Sequence, residues 1–252
     1  MIKISVVIIT FNEEKNIERC LNSVKDIADE IVVLDSFSTD KTEEICKKHN
    51  VKFFQHKFDG YTQQKNRAVN LAVNNYILSL DADEELSAKL KNSIKEIKNN
   101  PIFEVYKFNR LNIYCGKAVK HTSWYPDRKI RFWNKEKGRW VGDKIHEIVE
   151  ADKDCKIGFL KGDLLHYSYN SIEEHISQTN KFSTLSAEQI SGKSFPILLF
   201  KALFNPVFRF FKNYFIKHGF LGGYTSFMIS VIISFETFLK YSKAIFLYKK
   251  KS

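Results

Sequence analysis

With 252 residues, 44% of them hydrophobic and 27% charged, the chain is long enough for one sizeable α/β domain with an appendage and too apolar to be disordered. Its net charge of +11 is uneven: from Lys193 onward ten Lys and Arg face a single acid, Glu236, so ten minus one leaves +9 in that segment and the preceding 192 residues are nearly balanced. This excludes a basic core domain, and Cys20, Cys46, Cys115 and Cys155 never pair as C-x-x-C, which argues against a disulfide framework or a cysteine zinc site.

Met1 to Ser5 leads straight into a strand, with no basic segment, apolar core and cleavage site of a signal peptide. Ile4 to Thr10 is a Val- and Ile-rich run, as in a strand buried on both faces. Asn16 to Val24 places Ile17, Cys20, Leu21 and Val24 at helical spacing. Glu30 to Asp35 reads as a second buried strand, 41–49 as a short polar helix and 51–56 as a third strand. A helix is expected over 63–74, a fourth strand over Tyr76 to Asp81, and then a helix capped by Ser87. This alternation predicts an α/β fold with a doubly wound, mostly parallel sheet.

Asn99-Asn100-Pro101 interrupts the pattern, and 103–114 and 129–133 alternate like antiparallel strands. Helix returns over 172–190. The last sixty residues mix Phe with Lys201, Arg209, Lys212, Lys217, Lys240 and Lys243. Their longest uncharged stretch, 220–235, is shorter than the ~20 residues that span a bilayer. Aromatic and basic residues together predict an amphipathic helical tail lying in a lipid interface; the plainer alternative is a helical pair packed on the core domain. The expected organisation is 1–100, a nucleotide-binding half; 101–190, an acceptor-binding half; and 191–252, the basic aromatic tail.

The sharpest chemical feature is Leu80-Asp81-Ala82-Asp83-Glu84, a pair of carboxylates at the end of a buried strand. Ligands of open parallel sheets bind at that edge. On a strand Asp81 and Asp83 project to one side, and hard oxygens there suit Mg2+ or Mn2+ bridging to phosphates. A helix N-cap explains one such Asp, not two. Asp35 ends the second strand, where a carboxylate accepts hydrogen bonds from a base or ribose, while Asp40 or Thr39 suits a helix cap. The turn Thr10-Phe11-Asn12-Glu13 has no glycine, so it is neither a P-loop nor a dinucleotide fingerprint. Lys65 or Arg67, at the start of the third helix, is placed to reach a diphosphate.

Four motifs in order, Val6 to Glu13, Glu30 to Asp35, Gln64-Lys65-Asn66 and Leu80 to Asp83, resemble the family-2 glycosyltransferases of the GT-A fold. The Gln-Lys-Asn and Asp-Ala-Asp-Glu forms are most similar to the lipopolysaccharide-core branch, which adds glucose to an inner-core heptose. The resemblance implies a UDP-sugar donor bound by Thr10, Asn12, Glu13, Asp35, Lys65 and Asp81, and a divalent metal on Asp83 and Asp81. It also implies an inverting, single transfer to a glycolipid or lipopolysaccharide-core acceptor, by a protein peripheral on the cytoplasmic face of the membrane. The base is expected in Gly142-Asp143-Lys144-Ile145-His146-Glu147: Glu147 first, Asp143 second, with His146 as its neighbour or a metal ligand. The Glu-Asp doublet of many family members is absent, and so is the Gln-x-x-Arg-Trp motif of processive enzymes.

Two other classes fit parts of the chain. A metal-dependent nucleotidyltransferase shares the sheet and carboxylates, but should carry a Gly-rich loop after the first strand. A non-catalytic membrane module explains the tail and leaves Asp35, Asp81 and Asp83 unexplained as a set. Nucleic acid is disfavoured because the positive charge lies among Phe and Ile runs. Nothing in the pattern fixes the oligomeric state.

Overall fold

The computed structural model describes residues 1–143 and 146–249, the side chains of Asp143, His146 and Lys249 excepted. The elements in order are β1 (Ile4–Thr10), α1 (Ile17–Val24), β2 (Glu30–Asp35), α2 (Thr42–Lys48), β3 (Lys52–Gln55), α3 (Tyr61–Leu71), β4 (Tyr76–Asp81), β5 (Glu84–Leu86) and α4 (Ala88–Asn99). They continue with β6 (Val105–Tyr114), β7 (Lys117–Ala118), β8 (Asp127–Asn134), β9 (Gly138–Asp143), β10 (His146–Ala151), β11 (Ile157–Tyr169), α5 (Ile172–Ile190), α6 (Phe195–Phe211) and α7 (Gly223–Lys249). The chain forms two compact units: Met1–Arg110 with Asp127–His166, and Leu111–Pro126 with Tyr167 onward.

In the first unit the main sheet runs β3-β2-β1-β4-β8-β6-β11-β5, with β9 and β10 forming a separate hairpin. Strands β3, β2, β1 and β4 are mutually parallel, and β8 is antiparallel to both β4 and β6. Alternation along β1 explains its unbroken apolar run: Val6 and Ile8 enter one core with Ile17 and Leu21 of α1 and Leu90 and Ile94 of α4. Val7 points the other way, into a second core with Ala68 and Val69 of α3, Trp133 and Trp140. Each helix thus covers one face of the sheet, as parallel strands require.

Ser87 caps α4 by accepting from the Leu90 N–H, as its position in the sequence predicts. Beside this cap β11 passes at Gly162, whose φ is +109° and where a Cβ would lie 2.3 Å from Leu90 N. Only glycine allows that approach. It lets β11 pair with β5, with Leu164 opposite Leu86 and His166 opposite Glu84.

The second unit is mostly helical. Ser171 caps α5 by accepting from the Glu174 N–H. His175 on α5 is buried, stacks on Tyr169 at 4.4 Å and lies 3.2 Å from the Tyr114 hydroxyl through Nδ1. Lys243 of α7 donates to the Asn180 carbonyl and side chain and to the Ser183 and Thr184 hydroxyls at 2.7–2.8 Å, tying α7 to α5. A π-turn (Lys212–Ile216) and a 3-10 turn (Gly219–Gly222) connect α6 to α7. The uncharged stretch expected to be too short for a bilayer is part of a longer helix. The 3-10 turn and α7 together, Gly219–Tyr248, are by length and composition apolar enough to cross a membrane, with 39% of the most apolar window buried inside the protein. Isolated charges such as Glu236 and Lys240 interrupt the apolar run without ending the helix.

Candidate active site

Parallel pairing brings the carboxyl ends of β1, β2 and β4 to one edge, with Thr10 opposite Asp35 and Ile9 opposite Asp81. Asp35 is fully buried. It accepts from the Ser38 N–H at 2.8 Å, the Ser38 hydroxyl and the Gln55 amide at 3.2 Å. Asn12 sits at φ +55° and ties the first two turns together: its N–H donates to Ser38 Oγ, and its Oδ1 accepts from the Thr39 N–H, both at 2.8 Å. Asp40 accepts from the Thr42 N–H at 2.9 Å at the start of α2. At the rim, the rings of Phe11 and Phe37 are 57% and 53% exposed. Two buried polar atoms beside Asp35, Thr10 Oγ1 and Gln64 Oε1, have no hydrogen-bond partner among the described residues. Buried polar groups are nearly always satisfied, so an edge with two open ones suits a polar ligand.

Next to this edge lies a cluster of buried charge. Lys65 is 1% exposed. Its Nζ lies 3.0 Å from Asp81 Oδ1 and 3.1 Å from Glu147 Oε1. Arg131, also buried, lies 3.2 Å from Asp81 Oδ2 and 3.4 Å from Glu84 Oε1. Both cations face the indole of Trp140, at 4.4 and 4.8 Å from the ring centre. Burial pushes the Asp81 carboxyl up, but Lys65 and Arg131 outweigh it and hold the group well below the usual carboxylate range.

The strand geometry from which a shared direction of Asp81 and Asp83 is expected stops at Asp81. Strand β4 ends at Asp81, and a turn closed by the Asp81 N–H donating to Glu84 Oε2 at 3.0 Å carries Ala82 and Asp83. Strand alternation stops there, and Asp83 meets a different partner, with its Oδ2 3.2 Å from His166 Nε2. Glu13 lies close enough to feel these charges. Burial raises its carboxyl to about 7, the Asn16 amide opposes, and the negative charges of Asp83, Asp40 and Asp81 add to the rise.

Of the residues singled out from the sequence, Lys65, Asp81 and Glu147 therefore form one bonded group, Asp83 and Glu13 adjoin it, and Thr10, Asn12 and Asp35 line the neighbouring edge. Lys65 is turned inward onto two carboxylates. Asp143 and His146 lie outside the described side chains. Sequence reasoning missed Arg131, Glu84, Trp140 and His166. The signal for Arg131 was a cation between Ile130 and Phe132, in the half of β8 that runs into the apolar Phe132 and Trp133, where a buried cation requires a counter-charge.

The family described as Glycosyl transferase family 2 matches residues 5–151. An uncharacterized glycosyltransferase of Rickettsia typhi is 34% identical over 96% of this chain and 87% of its own length. The lipopolysaccharide core biosynthesis glycosyltransferase LpsC of Rhizobium meliloti is 27% identical over 94% of this chain and 91% of its own. Among solved structures, S. aureus TarS 1–349 in complex with UDP aligns over 99% of this chain and 91% of that one, with a TM-score of 0.48 and 14% identity.

Proposed function

Because this chain belongs to glycosyl transferase family 2 and has its GT-A type of α/β fold, we propose that it moves one sugar, glucose, from a UDP-sugar to a hydroxyl of a glycolipid such as the lipopolysaccharide inner core, with inversion. The observation that carries this reading is Lys65, which joins Asp81 at the nucleotide edge to Glu147 through contacts of 3.0 and 3.1 Å. One buried cation thus links the donor edge to a carboxylate able to take a proton. A lipopolysaccharide-core acceptor follows the relative LpsC, which is named for lipopolysaccharide core biosynthesis.

In this mechanism Asp35 accepts the base N–H, and Thr10 and Gln64 complete their open hydrogen bonds on the nucleotide. Asp81, held ionised by Lys65 and Arg131, accepts from the ribose. The acceptor oxygen attacks the anomeric carbon while its proton passes to Glu147. The bond from that carbon to the diphosphate oxygen breaks, and UDP leaves with the electron pair. Lys65 keeps Glu147 oriented before attack.

A divalent metal would be held through Asp83 and Asp81, whose buried Oδ1 makes no hydrogen bond among the described residues, with the His166 ring against Asp83. Among the described residues no group of three or more such side chains is arranged to hold an ion, so phosphate oxygens of the donor would complete its coordination. Such a metal would supply positive charge to offset the charge building on the departing diphosphate.

The test is turnover of a panel of nucleotide-sugars with Mn2+ or Mg2+ and then with EDTA, beside Asp83→Ala. Turnover of one UDP-sugar, abolished by EDTA and by the substitution, supports the reading. Activity with no nucleotide-sugar, or an Asp83→Ala variant equal to the parent, sinks it.

A further inference from the structure

Helix α6 of the second unit turns its hydrocarbon outward. Leu198 and Ala202 are buried, yet Phe200, Phe204, Val207, Phe208 and Phe211 are 51–70% exposed. At helical spacing these five share the face opposite Leu198 and Ala202. Phe200 and Phe204 pack together at 4.5 Å at one end of this strip, and Phe211 packs on Phe215 at 5.1 Å at the other. Beside the strip runs an apolar groove of about 490 Å³ between α6 and α7, lined by Leu203, Pro206, Val207, Phe210, Phe235 and others. Scattered exposed apolar residues are ordinary, but five on one helix face beside an apolar groove mark an interaction surface.

Charge decides what covers it. The segment from Lys193 holds ten Lys and Arg and one acid, Glu236. Lys201 lies beside the strip by helical position, and Lys212 follows its C-terminal end. A second copy of this face would bring like charges together, whereas an anionic headgroup layer meets both the cations and the rings. Long basic side chains reach the headgroups while their stems and the neighbouring rings lie lower, at the acyl boundary.

We infer that the outer face of α6 is a membrane-docking surface that seats Phe200, Phe204, Val207, Phe208 and Phe211 at the acyl boundary of an anionic bilayer, with Lys201 and Lys212 on its headgroups. This goes beyond the transferase reading and does not depend on it, because no residue of the strip belongs to the nucleotide edge or the charge cluster.

The test is flotation of the full chain with vesicles of neutral phosphatidylcholine, or with about 30% anionic phospholipid, a content at which each basic residue near the surface contributes on the order of 1 kcal/mol. The parent floats with the anionic vesicles, and raised salt weakens the association. Phe204→Glu with Phe208→Glu lowers partitioning at least about tenfold, because charge at the acyl boundary is disfavoured. Lys201→Gln with Lys212→Gln lowers it by on the order of tenfold on anionic vesicles only. Both pairs keep the parent's melting temperature, since they replace surface side chains; if the Glu pair fails to fold, the Gln pair carries the test alone. Parent-like flotation of the folded variants overturns the inference. So does a parent that ignores vesicles and forms a dimer in light scattering that the Glu pair splits, which would assign the face to a second copy.

Discussion

Lys65 and Arg131 in the first unit are almost wholly buried, whereas Phe200, Phe204 and Phe208 in the second stand in solvent. The first unit encloses charge that elementary solvation would keep outside, and the second displays hydrocarbon that it would keep inside. Each inversion carries a cost that folding alone does not explain. Buried ions lose hydration worth several kcal/mol each, offset only by partners such as Asp81, Glu84 and Glu147. Exposed rings forgo about 1.5–3 kcal/mol each of possible burial. The comparison teaches where to look for function: in the first unit among polar groups without water, and in the second among apolar groups without a core.

The comparison is broken most severely at Glu147. Glu147→Gln should lower kcat about 10²–10⁴-fold with little change in donor binding, read by steady-state kinetics and nucleotide titration. An equal loss in both would demote Glu147 to a structural partner of Lys65. Next, Lys65→Met strips two carboxylates of their shared cation and should cost about 3–5 kcal/mol of stability, measured by urea unfolding. A neutral outcome would mean that water reaches the cluster.

A milder contrast is His175, whose ring burial lowers from 6.5 to about 4. The folded unit therefore favours the neutral ring. Its stabilisation is fully present above pH 6.5 and is lost as pH falls from there toward 4, about 3 kcal/mol in total. His175→Phe should flatten that slope in unfolding midpoints taken at pH 7 and pH 4. The smallest effect is expected at Lys243, half-exposed on α7 with four acceptors on α5. Lys243→Met should cost about 1 kcal/mol.

Much of the first unit was legible because its signals are local. The run Ile4 to Thr10 and the helical spacing of Ile17, Cys20, Leu21 and Val24 each specify an element alone, and Asp35 and Asp81 mark strand ends. Contacts set by distant pairing were not legible. His166 reaches Asp83 only because β11 pairs with β5, a three-residue strand too short to leave a periodic trace. The inward turn of Lys65 depends on Glu147, 82 residues away. In the tail, composition pointed to helices rich in aromatic and basic residues but not to which faces α5 and α7 would bury, since residues such as Ser230 and Ser234 bond within the helix and read as polar in the sequence.

Trp140 has a further use. Its indole lies within 5 Å of two cations whose carboxylate partners line the proposed nucleotide and acceptor positions. An excited indole carries a large dipole, so its emission colour follows the electric field across the ring. Donor binding redistributes charge around Asp81, and Trp140 would register it as a spectral displacement without any attached dye. Trp133, edge-on to it at 6.1 Å and fully buried, and Trp124 in the second unit's aromatic core supply a steadier background. The protein thus holds an optical voltmeter at its centre, read with a fluorimeter and unlabelled protein.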